Sequence, residues 1–288
     1  MLAKFGWGLR MRPLSLALIA AVSVIASTQS ASAAPPTPVA VAPTWTGFYA
    51  GANLGYGWGD TSSDLSTTQR NGNVLLTMNG AYGTDFDGIL AGIQLGYNWQ
   101  LSPNWVIGFE ADWQVSGQNG RSTFDGVIVA PNGFNVGFNP ATTIQNARVD
   151  WFGTIRGRLG YAWDRWLVYG TGGLAYGRIS IGVITNVAPS FVGPNPSVLF
   201  SGNSNNTGWA VGGGVEMMLN SNWSAKVEYL YIDLGDVTAN GVIPPGGCYG
   251  TPGGGICSGA VQLSGSETVT THSLIDNIIR VGINYHFN

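Results

Sequence analysis

Trp105-Val106-Ile107-Gly108-Phe109-Glu110-Ala111-Asp112-Trp113-Gln114-Val115 decides the fold class. Its odd positions, Trp105, Ile107, Phe109, Ala111, Trp113 and Val115, are all apolar. Its even positions include Gly108, Glu110, Asp112 and Gln114. Successive side chains of a strand point to opposite faces, so a period of two marks a strand with one apolar face. The same alternation recurs over 45–58, 89–99, 147–163, 166–181, 207–219, 223–234 and 275–287, which makes eight strands. In 147–163 the odd face carries Val149, Trp151, Ile155, Leu159, Tyr161 and Trp163, and the even face Arg148, Asp150, Thr154, Arg156 and Arg158. In 275–287 Ile279, Val281, Ile283, Tyr285 and Phe287 oppose Asp276, Arg280, Asn284 and His286.

The connections alternate in length. Those at 100–104, 164–165 and 220–222 are tight, whereas 59–85, 116–146, 182–206 and 235–273 are long and rich in Gly, Asn, Ser and Thr. Short turns at one end and long loops at the other describe a transmembrane barrel. Composition points the same way. Charged residues are 9% of the 288, against about 25% in an ordinary soluble domain. A soluble sandwich exposes its polar faces and needs more charge than this. With two Lys, four Glu and 44 Gly, the chain also lacks the usual formers of helical surfaces. The expected fold is therefore all-β, an eight-stranded antiparallel up-and-down transmembrane β-barrel.

Tryptophan placement supports a lipid-facing exterior. Trp99, Trp105, Trp163, Trp166 and Trp223 flank the short turns, and Trp58, Trp113, Trp151 and Trp209 lie toward the opposite strand ends. Trp105 and Trp113 are eight residues apart, Trp151 and Trp163 twelve. At about 3.3 Å per residue and a tilt near 40°, these separations span roughly 20 and 30 Å of barrel height. They bracket the apolar band of about 25 Å that aromatic girdles enclose.

The N-terminus reads as an export signal. Lys4, Arg10 and Arg12 precede an apolar run over 14–25, and Ala31-Ser32-Ala33 supplies an A-x-A site. The organisation is then a signal peptide over 1–33, a Pro/Ala-rich periplasmic linker over 34–44 and a barrel over 45–288. Without the three leader cations, nine basic and fifteen acidic residues remain, a net −6. No basic patch survives for nucleic acid.

Five segments resemble a known family: Trp45-Thr46-Gly47-Phe48-Tyr49-Ala50-Gly51, Gly92-Ile93-Gln94-Leu95-Gly96-Tyr97-Asn98-Trp99, Arg156-Gly157-Arg158-Leu159-Gly160-Tyr161-Ala162, the Gly-rich run over 169–177, and Val281-Gly282-Ile283-Asn284-Tyr285-His286-Phe287. Together they resemble the small outer-membrane β-barrel surface antigens of alphaproteobacteria, often labelled porin family. Their architecture is like that of the outer-membrane protein A barrel and the opacity-type adhesins. The resemblance implies a monomer-sized barrel in the Gram-negative outer membrane, with an envelope-structural and surface-antigen role. It also implies a terminal aromatic signal, Tyr285 and Phe287 here, for the barrel-assembly machinery. Two alternatives stand beside that role: a narrow porin for small solutes, and loop-mediated binding of haem, a host surface or a phage. Expected partners are outer-membrane lipid and lipopolysaccharide. Both termini are expected in the periplasm and the long loops outside the cell.

No catalytic motif accompanies His272 or His286, no metal spacing is present, and no cofactor is expected. Cys248 and Cys257, in the longest loop of an exported protein, are expected to form a disulfide. The inward charges are expected to be Glu110, Asp112, Asp150, Glu216, Glu228 and Asp276 against Arg148, Arg156, Arg158, Lys226 and Arg280. They read as an ion-pair network filling the barrel, with a selectivity constriction as the alternative. On that reading, removing Arg156 and Arg158 together raises conductance and lowers stability.

Overall fold

The structure, a computed structural model, describes residues 44–71, 74–129, 135–187, 197–243 and 264–287. The described chain is a single antiparallel sheet of ten segments: β1 Gly47–Asn71, β2 Val74–Gln100, β3 Trp105–Ser116, β4 Asn119–Val129, β5 Asn135–Trp163, β6 Trp166–Val187, β7 Ser197–Met218, β8 Trp223–Asp233, β9 Val237–Ile243 and β10 Ser264–Phe287. Two pairs of segments are halves of one stave. β3 and β4 both lie between β2 and β5, and β8 and β9 both pair with β10. The ring of eight staves closes because β1 pairs with β2 on one side and β10 on the other. Over the lipid-facing part, closure leaves no unpaired edge among the described residues, which a wall in lipid requires.

The outer face is the apolar one. Ile89, Ile93, Leu95, Phe109, Ile155, Leu159, Leu174, Val281 and Ile283 are exposed, as lipid contact demands. Three tight connections join the staves at one end. In the two-residue turn after Trp163, Asp164 takes φ +51° and Trp163 pairs with Trp166.

The staves run further than the lipid-facing pattern indicates. Segments read from sequence as long loops are largely strand, with β1 and β2 paired in register out to Asn71 and Val74. The 27 residues of β2 reach roughly 70 Å at a tilt near 40°, far beyond the apolar band of about 25 Å. The alternation that reveals a stave depends on lipid against its outer face. Past the bilayer that pressure ends, but the hydrogen-bond ladder still satisfies the backbone and continues.

Irregularities mark where the spanning part gives way to these extensions. The register of β1 with β10 shifts between Asp60 and Ser62, and that of β5 with β6 between Val149 and Trp151. β3 yields to β4 at Gly117, where Ser116 Oγ accepts the Gln118 amide at 3.1 Å and donates to Gln118 Oε1 at 2.7 Å. β8 yields to β9 at Gly235, whose φ of +69° only glycine adopts readily and whose amide donates to Asp233 Oδ1 at 2.8 Å. The bulge at Asp150 has the largest effect. Below it the even residues of β5 (Phe152, Thr154, Arg156, Arg158) face the lumen; above it the odd ones (Thr143, Gln145, Ala147, Val149) do. One extra residue exchanges the two faces of everything beyond it.

Candidate functional site

The lumen is the candidate site, and its chemistry follows from register. Glu110 on β3 lies directly opposite Arg156 on β5, Glu216 on β7 opposite Lys226 on β8, and Glu228 on β8 opposite Arg280 on β10. Opposed residues on one face are about 5 Å apart, so Glu110 meets Arg156 and Glu228 meets Arg280, whereas Lys226 turns to Glu110 and Glu216 to Arg158. The pairs then fuse across the barrel. Arg156 reaches Glu110 at 2.6 Å, Asp112 at 2.8 Å and Glu228 at 3.2 Å. Lys226 Nζ donates to both oxygens of Glu110 at 2.9 and 2.8 Å. Arg280 joins Asp112 at 2.9 Å and Glu228 at 2.5 Å. Arg158 takes Glu216 at 2.9 Å, and its guanidinium lies 3.9 Å from the centre of the Tyr169 ring. The side chains of Arg156, Lys226 and Arg280 are 0% exposed. Four acids (Glu110, Asp112, Glu216, Glu228) thus balance four bases (Arg156, Arg158, Lys226, Arg280), as burial of charge requires.

Neutral groups complete the shell. Tyr49 Oη donates to Glu110 at 2.8 Å and Tyr169 Oη to Glu228 at 3.0 Å. Thr154 Oγ1 donates to Asp112 at 2.9 Å, and Asn284 Nδ2 to Glu216 at 2.7 Å. Sequence reasoning missed both tyrosines. Glycines across from them were the available signal: a Cβ on Gly96 would lie 2.3 Å from Tyr49 Oη, and one on Gly214 2.7 Å from Tyr169 Oη.

Three of the expected lumen charges stand elsewhere or alone. Arg148 and Asp150 are not in the lumen, because the bulge turns Arg148 to the outer face and takes Asp150 out of the lumen-facing row. There Arg148 Nε meets Asp150 Oδ1 at 3.0 Å, with side-chain exposures of 64% and 27%. Val149, expected on the lipid face, is buried inside for the same reason. Asp276 is inside and 2% exposed, but it sits above the network, accepting one hydrogen bond from Gln118 Nε2 at 2.8 Å. His286 is buried at the turn end, its Nε2 2.9 Å from Ser224 Oγ. The tryptophans expected to form girdles all lie on the outer face: Trp58, Trp99, Trp105, Trp113, Trp163, Trp166, Trp209 and Trp223 exposed, Trp151 half-buried. Tyr285 and Phe287 also face outward on the last strand. Cys248 and Cys257 lie outside the described residues, as do the leader and linker over 1–43.

Apolar layers close the lumen on both sides of the network. Leu65, Phe86, Leu90, Val149, Phe152, Ile179, Ile181, Val183, Leu230, Ile232 and Ile278 form one continuous buried cluster above it. At the turn end Trp45, Val106, Ala162, Leu167 and Met218 pack together beside Tyr169. Trp45, read as the start of a strand, instead folds under the mouth. Its amide donates to Gln100 Oε1 at 3.0 Å and its ring meets His286 edge-on at 5.9 Å. Among the described residues no group of three or more His, Cys, Asp or Glu is placed to hold a metal ion.

Comparison with known proteins agrees with this architecture. Residues 15–287 match the family described as outer membrane protein beta-barrel domain. The chain is 36% identical over 217 residues to the 31 kDa outer-membrane immunogenic protein of Brucella melitensis biotype 1, covering 75% of this chain and 80% of that one. It is 30% identical over 196 residues to the 22 kDa outer membrane protein of Rhizobium leguminosarum bv. viciae, covering 68% and 67%. Among solved structures, the outer membrane protein OprG from Pseudomonas aeruginosa is similar at 12% identity and a TM-score of 0.37, with 85% of this chain and 99% of that one covered.

Proposed function

We propose, from the premise that this chain belongs to the outer membrane protein beta-barrel domain family, that it is a closed structural barrel of the outer membrane whose long hairpins form a surface antigen. One observation carries the reading: among the described residues, buried side chains fill the lumen at the level of the charge network and of the apolar layer above it. Leu230, Ile278, Ile179 and Glu216 are each 0% exposed, so no water-sized path touches them. An eight-stranded barrel has an interior only wide enough for side chains, and here side chains occupy it. Such a wall serves the envelope mechanically. The immunogenic relatives fit a role for the extended hairpins as the face met from outside.

In this reading the turns at 101–104, 164–165 and 219–222 face the periplasm with both termini, and the hairpins of β1–β2, β4–β5, β6–β7 and β9–β10 face outward. Tyr285 and Phe287 serve as the assembly signal, and the barrel acts as a monomer without an enzymatic step. Planar-bilayer recording of the refolded protein tests closure: no steady conductance is expected. A stable ion-selective current replaces this reading with that of a narrow porin. Epitope tags at 72–73 and 164–165 test sidedness on intact cells. The first is expected to be reached by antibody and the second not, and the reverse pattern overturns the topology.

A further inference from the structure

We propose that the outer face of β4–β6 binds the phosphorylated headgroup of an outer-leaflet glycolipid, with Arg148 and Arg178 as its principal contacts and Arg121 as a third. The proposal rests on the sidedness given above. It begins with the bulge at Asp150, which brings Arg148 out of the lumen and onto the outer face. Arg121 on β4 and Arg178 on β6 are exposed on that same face. Arg148 pairs with Asn119 and Ser180, Arg121 with Asn146, and Arg178 with Trp151. Each arginine is therefore a diagonal neighbour of the next, about 7–8 Å away between backbones. Nine basic residues follow the leader. Four are in the lumen, Arg165 is in a turn, Arg70 is the penultimate residue of β1, and the remaining three are these.

Depth gives the trio its ligand. Trp113, Trp151 and Tyr176 lie on the outer face just below it, and Arg178 is directly paired with Trp151. Aromatic girdles sit at the membrane interface, so the next residues outward meet the headgroups. There the guanidinium stem packs on the apolar wall while the charged head reaches water or phosphate. All three cations are Arg, whose planar fork takes two phosphate oxygens at once. Arg148 is also oriented for this. Asp150 engages only its Nε among the described residues, and Ser180 Oγ in turn donates to Asp150 at 2.6 Å. Asp150 is thus a positioning residue. Acids flank the trio: Asp60, Asp85 and Asp87 are exposed on the outer face of β1–β2, and Asp125 on that of β4. Asp85 lies on the Arg121 side, which makes Arg121 the weakest of the three.

The test uses the mature chain refolded in neutral-detergent micelles doped with bisphosphorylated lipid A, the same lipid dephosphorylated, or inorganic phosphate. Thermal midpoint and lipid phosphorus retained per barrel after gel filtration are read together. The bisphosphorylated lipid is expected to raise the midpoint saturably; the other two are not. Arg148→Gln and Arg178→Gln are each expected to raise the half-saturating concentration about fivefold. Arg121→Gln should do less, Arg165→Gln in the distant turn nothing, and Arg148→Lys should recover part of the loss. Equal stabilisation by the dephosphorylated lipid or by inorganic phosphate overturns the proposal, as does undiminished binding by the Arg148→Gln/Arg178→Gln variant. Micelles have no sidedness, so these outcomes are independent of the tag experiment. Tags placing the hairpins in the periplasm overturn the outer-leaflet assignment alone.

Discussion

Arg156→Ala is the sharpest test of the lumen. Its guanidinium touches Glu110, Asp112 and Glu228 at 2.6, 2.8 and 3.2 Å with the side chain fully buried. Removing it leaves four buried carboxylates facing three cations. One uncompensated buried charge costs about 3–5 kcal/mol. Equilibrium urea unfolding in micelles, followed by tryptophan fluorescence, should show a loss of this size. Adding Glu110→Ala restores the balance at three against three, so the double variant should lose less than the two singles combined, by about 1–3 kcal/mol. Conductance is a separate readout. The sequence alone predicts that removing Arg156 and Arg158 raises conductance and lowers stability together. The apolar layer of Leu90, Phe152, Leu230 and Ile278 lies above the network as a separate buried cluster that includes neither arginine. Both Arg156→Ala and the Arg156→Ala/Arg158→Ala pair should therefore stay closed in planar bilayers while losing stability. A loss below about 1 kcal/mol for Arg156→Ala, or strict additivity with Glu110→Ala, refutes the charge-balance reasoning. A new current in either variant refutes the second seal.

Asp276→Asn should leave unfolding stability unchanged or higher, because Asn keeps the acceptor for Gln118 Nε2 and removes a carboxyl that meets no cation among the described residues; a loss above about 1 kcal/mol would show that a charge is needed there. Gly96→Ala should cost about 1–3 kcal/mol, since its Cβ would lie 2.3 Å from Tyr49 Oη and 2.7 Å from the Phe109 carbonyl oxygen, and Tyr49→Phe in the same chain should not relieve the backbone part. Deleting Asp150 removes the extra residue, so Trp151 follows Val149 in unbroken alternation, with Arg148 still outside and Ala147 and Val149 still inside; the variant should reach the outer membrane at close to the wild-type level, and failure to assemble would refute the reading of Asp150 as the inserted residue.

What the sequence makes legible follows what lipid and the lumen each select. Where lipid presses on one face, alternation is strict, and the eight staves with their outward Trp residues can be read from 105–115 and its counterparts. The cross-strand pairs Glu110–Arg156 and Glu228–Arg280 are legible for the same reason, since each acid and base sits on the minority polar face. Two features are not. Arg148-Val149-Asp150-Trp151 alternates without a flaw, and a bulge leaves no mark on alternation when the residues on both sides of it are good strand formers. Only the charge count carried a trace: six acids against five bases cannot all be paired. The structure resolves that excess. Arg148 and Asp150 leave together as a pair, four remain balanced by four, and Asp276 is left above the network with a neutral partner. The apolar layer is the second hidden feature. Within the alternating segments 89–99, 147–163 and 275–287, Leu90, Phe152 and Ile278 each interrupt a face otherwise small or polar. Ile278 meets Leu230 only through the pairing of β10 with β8, a relation between residues 48 apart in sequence. Separate exceptions to the pattern on distant staves thus become one seal when register brings them to a common level. That long-range coincidence, and not the legible charges, builds the apolar layer above the network.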